Sequence, residues 1–152
     1  MKILLATALA LSSLALTGCA PAAPVLPTVS LNAAEDANNP ACADVGVRLP
    51  EKVGELEKRQ TDSQSTAAWG NPTTVIYRCG MPEVTVSDLV CVTSEDIDWL
   101  IDDSKRPTYR FVTFGRKPAI EVVVDAKQIS GVTALEGFAP AISKISATKR
   151  CR

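Results

Sequence analysis

The sequence predicts a small two-layer α+β domain: a mainly antiparallel sheet of about four or five strands, a short N-terminal helix and a C-terminal helix. Three observations carry this. Thr73 to Cys79, Thr108 to Phe114 and Ala119 to Asp125 are runs rich in β-branched and aromatic residues. The last two are joined by only Gly115-Arg116-Lys117-Pro118, the length of a hairpin loop. Near the C-terminus Val132, Leu135, Phe138, Ala139, Ile142 and Ile145 recur with a 3.6-residue period, one face of a helix.

Residues 1–18 read as an export signal. Lys2 supplies a positive start, and Ile3 to Leu16 is apolar apart from Thr7, Ser12 and Ser13. That run is too short for a hydrocarbon layer of roughly 30 Å, which needs about 20 residues. Small residues precede the cut, as processing requires. Leu16-Thr17-Gly18-Cys19 fills the four positions of a bacterial lipobox, so Cys19 is expected to become the lipidated first residue of the mature chain. An anchor with more than one acyl chain attaches stably where a single chain is marginal. The expected location is the extracytoplasmic face of the cell membrane.

Residues 19–40 read as the anchor and a tether. Pro21, Pro24, Pro27 and Pro40 interrupt an Ala- and Asn-rich stretch with no apolar periodicity, so it is expected to be disordered or extended. Residues 41–152 are expected to form the single folded domain.

Within it, Cys42, Val45 and Leu49 give a short apolar helical stripe from Cys42 to Leu49, ended by Pro50. Glu51 to Asp62 reads as a solvated charged face, and Ala67 to Pro72 as a turn leading into the strand from Thr73. Met81 to Leu89 reads as a loop and Val90 to Thr93 as a short strand. Ile97 to Ile101 alternates, with Ile97, Trp99 and Ile101 on one face and Asp96 and Asp98 toward solvent, until Asp102-Asp103-Ser104 breaks it. Thr108 to Phe114 and Ala119 to Asp125 form the hairpin. The terminal helix is expected from about Thr133 to Ser146, with a kink or break near Ala139 because Pro140 lacks an N–H.

Charge and composition exclude several function classes. Lys2 leaves with the signal, so 15 basic and 17 acidic residues remain, a net charge of −2. No basic face or run stands out, which argues against a nucleic-acid partner and against electrostatic docking to anionic lipid. The chain has no His, which removes the commonest general base and metal ligand and the Ser-His-Asp arrangement. The acidic group Glu95, Asp96, Asp98, Asp102 and Asp103 lacks the spacing and the glycine of a calcium loop, so no metal and no cofactor are expected. Ser146-Ala147-Thr148-Lys149 matches a serine-acylase tetrapeptide in letters only, since almost no chain follows it.

Four cysteines remain beside Cys19, and an even count in an exported chain argues for two disulfides with three possible pairings. Proximity along the chain favours Cys79–Cys91, clipping two successive strands. The remaining candidates for ligand contact are Trp69, Arg78, Trp99 and Arg116, because arginine beside tryptophan in a cleft suits a carboxylate or phosphate.

Cys42-Ala43-Asp44, Arg48-Leu49-Pro50, Ala68-Trp69-Gly70-Asn71-Pro72, Arg78-Cys79-Gly80, Asp98-Trp99, Phe114-Gly115-Arg116 and Glu121-Val122 follow one another as they do in the DUF3515 family, which this chain resembles from about Ala41 to its C-terminus. The resemblance implies an actinobacterial envelope protein with no assigned activity and no assigned site residues. It also implies the pairing Cys42–Cys79, since some members keep only the cysteines matching those two, and with it Cys91–Cys151. Two functions follow as expectations. The first is a non-enzymatic accessory or binding lipoprotein whose partner is an envelope protein or cell-wall component. The second is a small hydrolase or transferase using Glu121 or Asp98 with Arg78 or Arg116, which needs a carboxylate in a concave pocket.

Overall fold

The computed structural model describes residues 26–151, so the expected export signal, the expected lipidation site Cys19 and the first part of the expected tether lie outside the described residues. The chain forms helix α1 (Pro40–Gly46), strands β1 (Lys52–Val53), β2 (Leu56–Arg59), β3 (Thr66–Trp69), β4 (Val75–Met81), β5 (Val90–Ser94), β6 (Ile97–Lys105), β7 (Thr108–Thr113) and β8 (Ala119–Asp125), and helix α2 (Gly131–Ile142). The strands make one antiparallel sheet in the order β1-β2-β3-β4-β8-β7-β6-β5. Two meanders, β1 to β4 and β5 to β8, are thus fused along the long-range pair β4–β8. No helix among the described residues is long and apolar enough to cross a membrane.

Strand alternation assigns the two faces. On the inner face Trp69, Val75, Tyr77, Trp99, Ile120, Val122 and Val124 are all essentially buried. Helix α2 packs against β1, β5, β8 and α1. Its Phe138 lies edge-on to Trp69 at 5.0 Å between ring centroids and 6.0 Å from Tyr77. The Ser130 side chain caps α2 by accepting from the Thr133 amide at 3.0 Å. Pro140 sits inside the last turn, and α2 ends two residues later rather than at Ser146. Val132, assigned above to the buried stripe, is 61% exposed.

The expected four or five strands become eight, for local reasons. Glu51 to Asp62 is a hairpin rather than only a charged face. Val53 points inward with no exposure, while Lys52 and Glu57 pair outside at 2.7 Å. Gly54 adopts the positive φ (+56°) that its tight turn needs. Strand β3 is written Thr-Ala-Ala-Trp, and alanine gives little strand signal. It is buried between β2 and β4, where small side chains fit. Strand β6 runs through Asp102-Asp103-Ser104 instead of stopping, because a register shift between Asp102 and Lys105 absorbs the irregularity.

Helix α1 starts at Pro40, two residues earlier than expected. Asn39 accepts from the Ala41 amide at 3.0 Å, and Pro40 occupies the first helical position, where its missing N–H costs nothing.

The tether boundary is also corrected. Residues 27–39 do not hang free of the domain. Val29 pairs with the segment after β2, its amide donating to the Gln60 carbonyl at 2.8 Å. The Leu31 amide donates to Asp62 Oδ1 at 3.0 Å, the Asp36 amide donates to the Gly80 carbonyl at 3.0 Å, and Ala37 is buried. The hydrogen bonds are donated by backbone amides of the segment, which apolar periodicity does not report.

Cys42 is bonded to Cys79 and Cys91 to Cys151, with Cα–Cα distances of 5.5 and 6.4 Å. The pairing Cys79–Cys91 favoured by proximity is ruled out by strand order: β8, β7 and β6 lie between β4 and the edge strand β5.

Candidate functional site

Strand β8 sends Ile120, Val122 and Val124 inward, so Glu121 projects from the outer face of the sheet. It is nevertheless 1% exposed. A lone buried carboxylate is costly unless it is paired and hydrogen-bonded. Two arginines from the flanking strands meet that requirement. Arg78 stands directly opposite on β4, and its Nε donates to Oε2 at 2.6 Å, with Nη2 on the same oxygen. Arg110 on β7 donates through Nε to Oε1. Each carboxylate oxygen therefore has its own guanidinium, and both arginine side chains remain partly exposed, at 30% and 39%.

The three residues floor a cleft of about 390 Å³ whose walls include Asp102, Ser104, Lys105 and Thr108. The register shift in β6 falls at this wall. Asp102 stands opposite Arg110 in register, and its Oδ1 accepts from the Ser104 amide at 3.0 Å. Hydrogen bonds from Ser104, then the charges of Arg110 and Lys105, hold the Asp102 carboxyl below its ordinary range against the opposing effect of burial.

The sequence placed Glu121 and Arg78 among its candidates, and the fold brings them together. It does not bring Trp69 or Trp99 to them. Both indoles are buried on the inner face, Trp69 donating to the Pro50 carbonyl at 3.0 Å, so neither stacks on a ligand-binding arginine. Arg116 is 4% exposed and holds the C-terminal tail, donating to the Ile145 carbonyl and, at 3.4 Å, to that of Asp96.

Asp98, expected on the solvent face, is 3% exposed. Alternation does put it on the outer face, but the tail covers it there. It accepts from Thr93 Oγ1 at 2.6 Å, from the Cys151 amide at 2.8 Å and from Arg150 Nε at 2.9 Å. Burial pushes its carboxyl up, and the Thr93 hydroxyl, the Cys151 amide and Arg150 outweigh that to leave it below the usual range. The acidic group is thus dispersed. Asp98 clasps the tail, Asp102 lines the cleft and Asp103 pairs with Arg106. Among the described residues no three His, Cys, Asp or Glu side chains converge to hold a metal ion.

Sequence reasoning missed Arg110. A signal for it existed in the hairpin, because pairing Phe111 with Val122 places Arg110 and Glu121 diagonally on one face. Nothing comparable announces the pairing of β4 with β8.

A larger groove, about 800 Å³, opens on the other face between α2 and strands β5 to β7. Val92, Ile101, Tyr109, Phe111 and Leu135 line it, and its only charged lining residues are Glu95 and Glu136. It offers apolar contact area and no cation.

The family model for a protein of unknown function, DUF3515, matches residues 3–151, nearly the whole chain. The chain belongs to the DUF3515 family. The match begins well before Ala41, so this DUF3515 chain follows its family model from residue 3 onward as well as through the domain. No curated protein and no solved structure matches it.

Proposed function

We propose that the chain is a lipid-anchored binding module of the cell envelope, carried by Cys19 on the outer face of the membrane and presenting the Arg78–Glu121–Arg110 cleft to an envelope protein or cell-wall component. The observation that carries this reading is that both oxygens of the buried Glu121 accept guanidinium N–H groups. A carboxylate so occupied orients arginines for binding and has no oxygen turned toward a substrate proton. The lipobox of Leu16 to Cys19 and two disulfides in one small domain support export and anchoring.

One observation favours the second reading, a small carboxylate-based hydrolase or transferase: Glu121 and Arg78 do lie together beside a cleft. Hydrolysis or transfer lost in Glu121→Gln while binding persists would support it.

A photo-crosslinker at Ser104, on the cleft wall, tests the binding reading in cells carrying the anchored protein. The expected result is an envelope component captured from Ser104 and not from the exposed Lys144. The same bystanders captured from both positions would overturn it.

A further inference from the structure

We infer that the cleft between β4, β7 and the β6 irregularity binds an oxyanion, a carboxylate or phosphate group carried by the envelope component; this rests on the binding-module reading above. One guanidinium neutralises one carboxylate. Glu121 has two, and Lys105 adds a third cation to the same cleft. The carboxylates there are Glu121, whose oxygens are taken, and Asp102, whose Oδ1 accepts from the Ser104 amide. Three cations against two acids leave one positive charge in a concave site. Among the described residues, Arg110 uses only Nε on Glu121, and neither of its Nη groups nor Nη1 of Arg78 has a hydrogen-bond partner. Those N–H groups belong to side chains already fixed by Glu121, so little rotamer freedom is left to lose on binding. A planar fork of this kind matches a carboxylate or phosphate two bonds at a time. Val123 and Thr108 beside it supply a mixed wall that admits the rest of a ligand. The apolar groove on the opposite face has no cation and does not compete for such a group.

The test uses the full mature chain in detergent micelles, titrated separately with acetate, inorganic phosphate and, at matched ionic strength, chloride. The readout is the Nε–H NMR signals of Arg78 and Arg110. The expected result is a saturable shift of both signals with acetate, phosphate or both, and none with chloride. The stronger of the two identifies the source as a carboxylate or a phosphate. Arg110→Gln is expected to weaken that binding by about tenfold or more, the cost of a charge-assisted pair. Near-UV circular dichroism checks that the variant folds, and should it not fold, Arg110→Lys, which keeps the charge and loses the fork, is expected to weaken binding in the same direction. No saturable shift, or one that Arg110 variants leave unchanged, overturns the inference. If that happens while the Ser104 crosslinker still captures an envelope component, the oxyanion inference alone has failed. If the capture fails too, the binding-module reading fails with it.

Discussion

Arg78 and Glu121 face each other across β4 and β8, with Nε donating to Oε2 at 2.6 Å, although 43 positions separate them in the chain. That contact exists only because the two meanders join along β4–β8. The site is therefore a product of sheet order and not of any local motif.

Removing the carboxylate leaves two arginines beside each other with no acid between them. Glu121→Ala is expected to destabilise the domain by about 3 kcal/mol, within the range for breaking a buried ion pair. Arg110→Ala is expected to cost less, about 1 kcal/mol, because Arg110 is partly solvated and Glu121 keeps Arg78. Urea denaturation of both variants measures the order, and an equal cost would count against the central placement of Glu121.

The two disulfides differ in burial. Cys42 and Cys79 are 1% and 0% exposed, whereas Cys91 and Cys151 are both partly exposed near the sheet edge and the chain end. Mild reductant is expected to open Cys91–Cys151 first. Timed alkylation followed by peptide mapping reads the order. Losing that bridge, which spans 60 positions, should lower stability by roughly 4 kcal/mol on loop-entropy grounds.

The tail clasp should fail in acid. Asp98, Asp96 and Asp102 all have carboxyls held below their ordinary values in the fold. A depressed folded value means that the contribution is present above the unfolded value, about pH 4, and is lost as pH falls through the folded value. Stability is therefore expected to decline below about pH 4. In Asp98→Asn the decline should be shallower and the stability at neutral pH lower. Denaturation midpoints across pH check this, and an unchanged acid limb in Asp98→Asn would contradict it.

Gly80 has φ +105°, and a Cβ there would meet the backbone of Asp36 and Ala37. Gly80→Ala is expected to loosen the docked segment and to cost about 1–3 kcal/mol. Hydrogen exchange at the Val29 and Asp36 amides should accelerate, while amides of β7 and β8 stay protected. Uniform acceleration would mean that the segment is not a separate unit.

How far the sequence reached depends on the kind of contact. Strands β4, β5, β7 and β8 and helix α2 were legible because Val, Ile, Tyr and Phe recur with a clear period. Strands β1 to β3 were not, since Lys-Val, Leu-Glu-Lys-Arg and Thr-Ala-Ala-Trp carry charge or alanine where strand signals are weak. Asp98 looked solvent-facing because alternation reports which face a residue takes and not what covers that face. Glu121 and Arg78 stand out in the sequence as a possible acid and clamp, but Arg110 emerges only from the hairpin register, and the β4–β8 pairing is written in no local pattern.

The most direct measurement compares crosslinking from Ser104 in intact cells carrying the wild-type chain, Arg110→Gln or Arg78→Gln. If the arginine cleft is where this domain meets an envelope component, the adduct formed by the wild type falls sharply in both variants while the protein level holds. Equal adduct from all three proteins would contradict the account, because the cleft would then play no part in the contact.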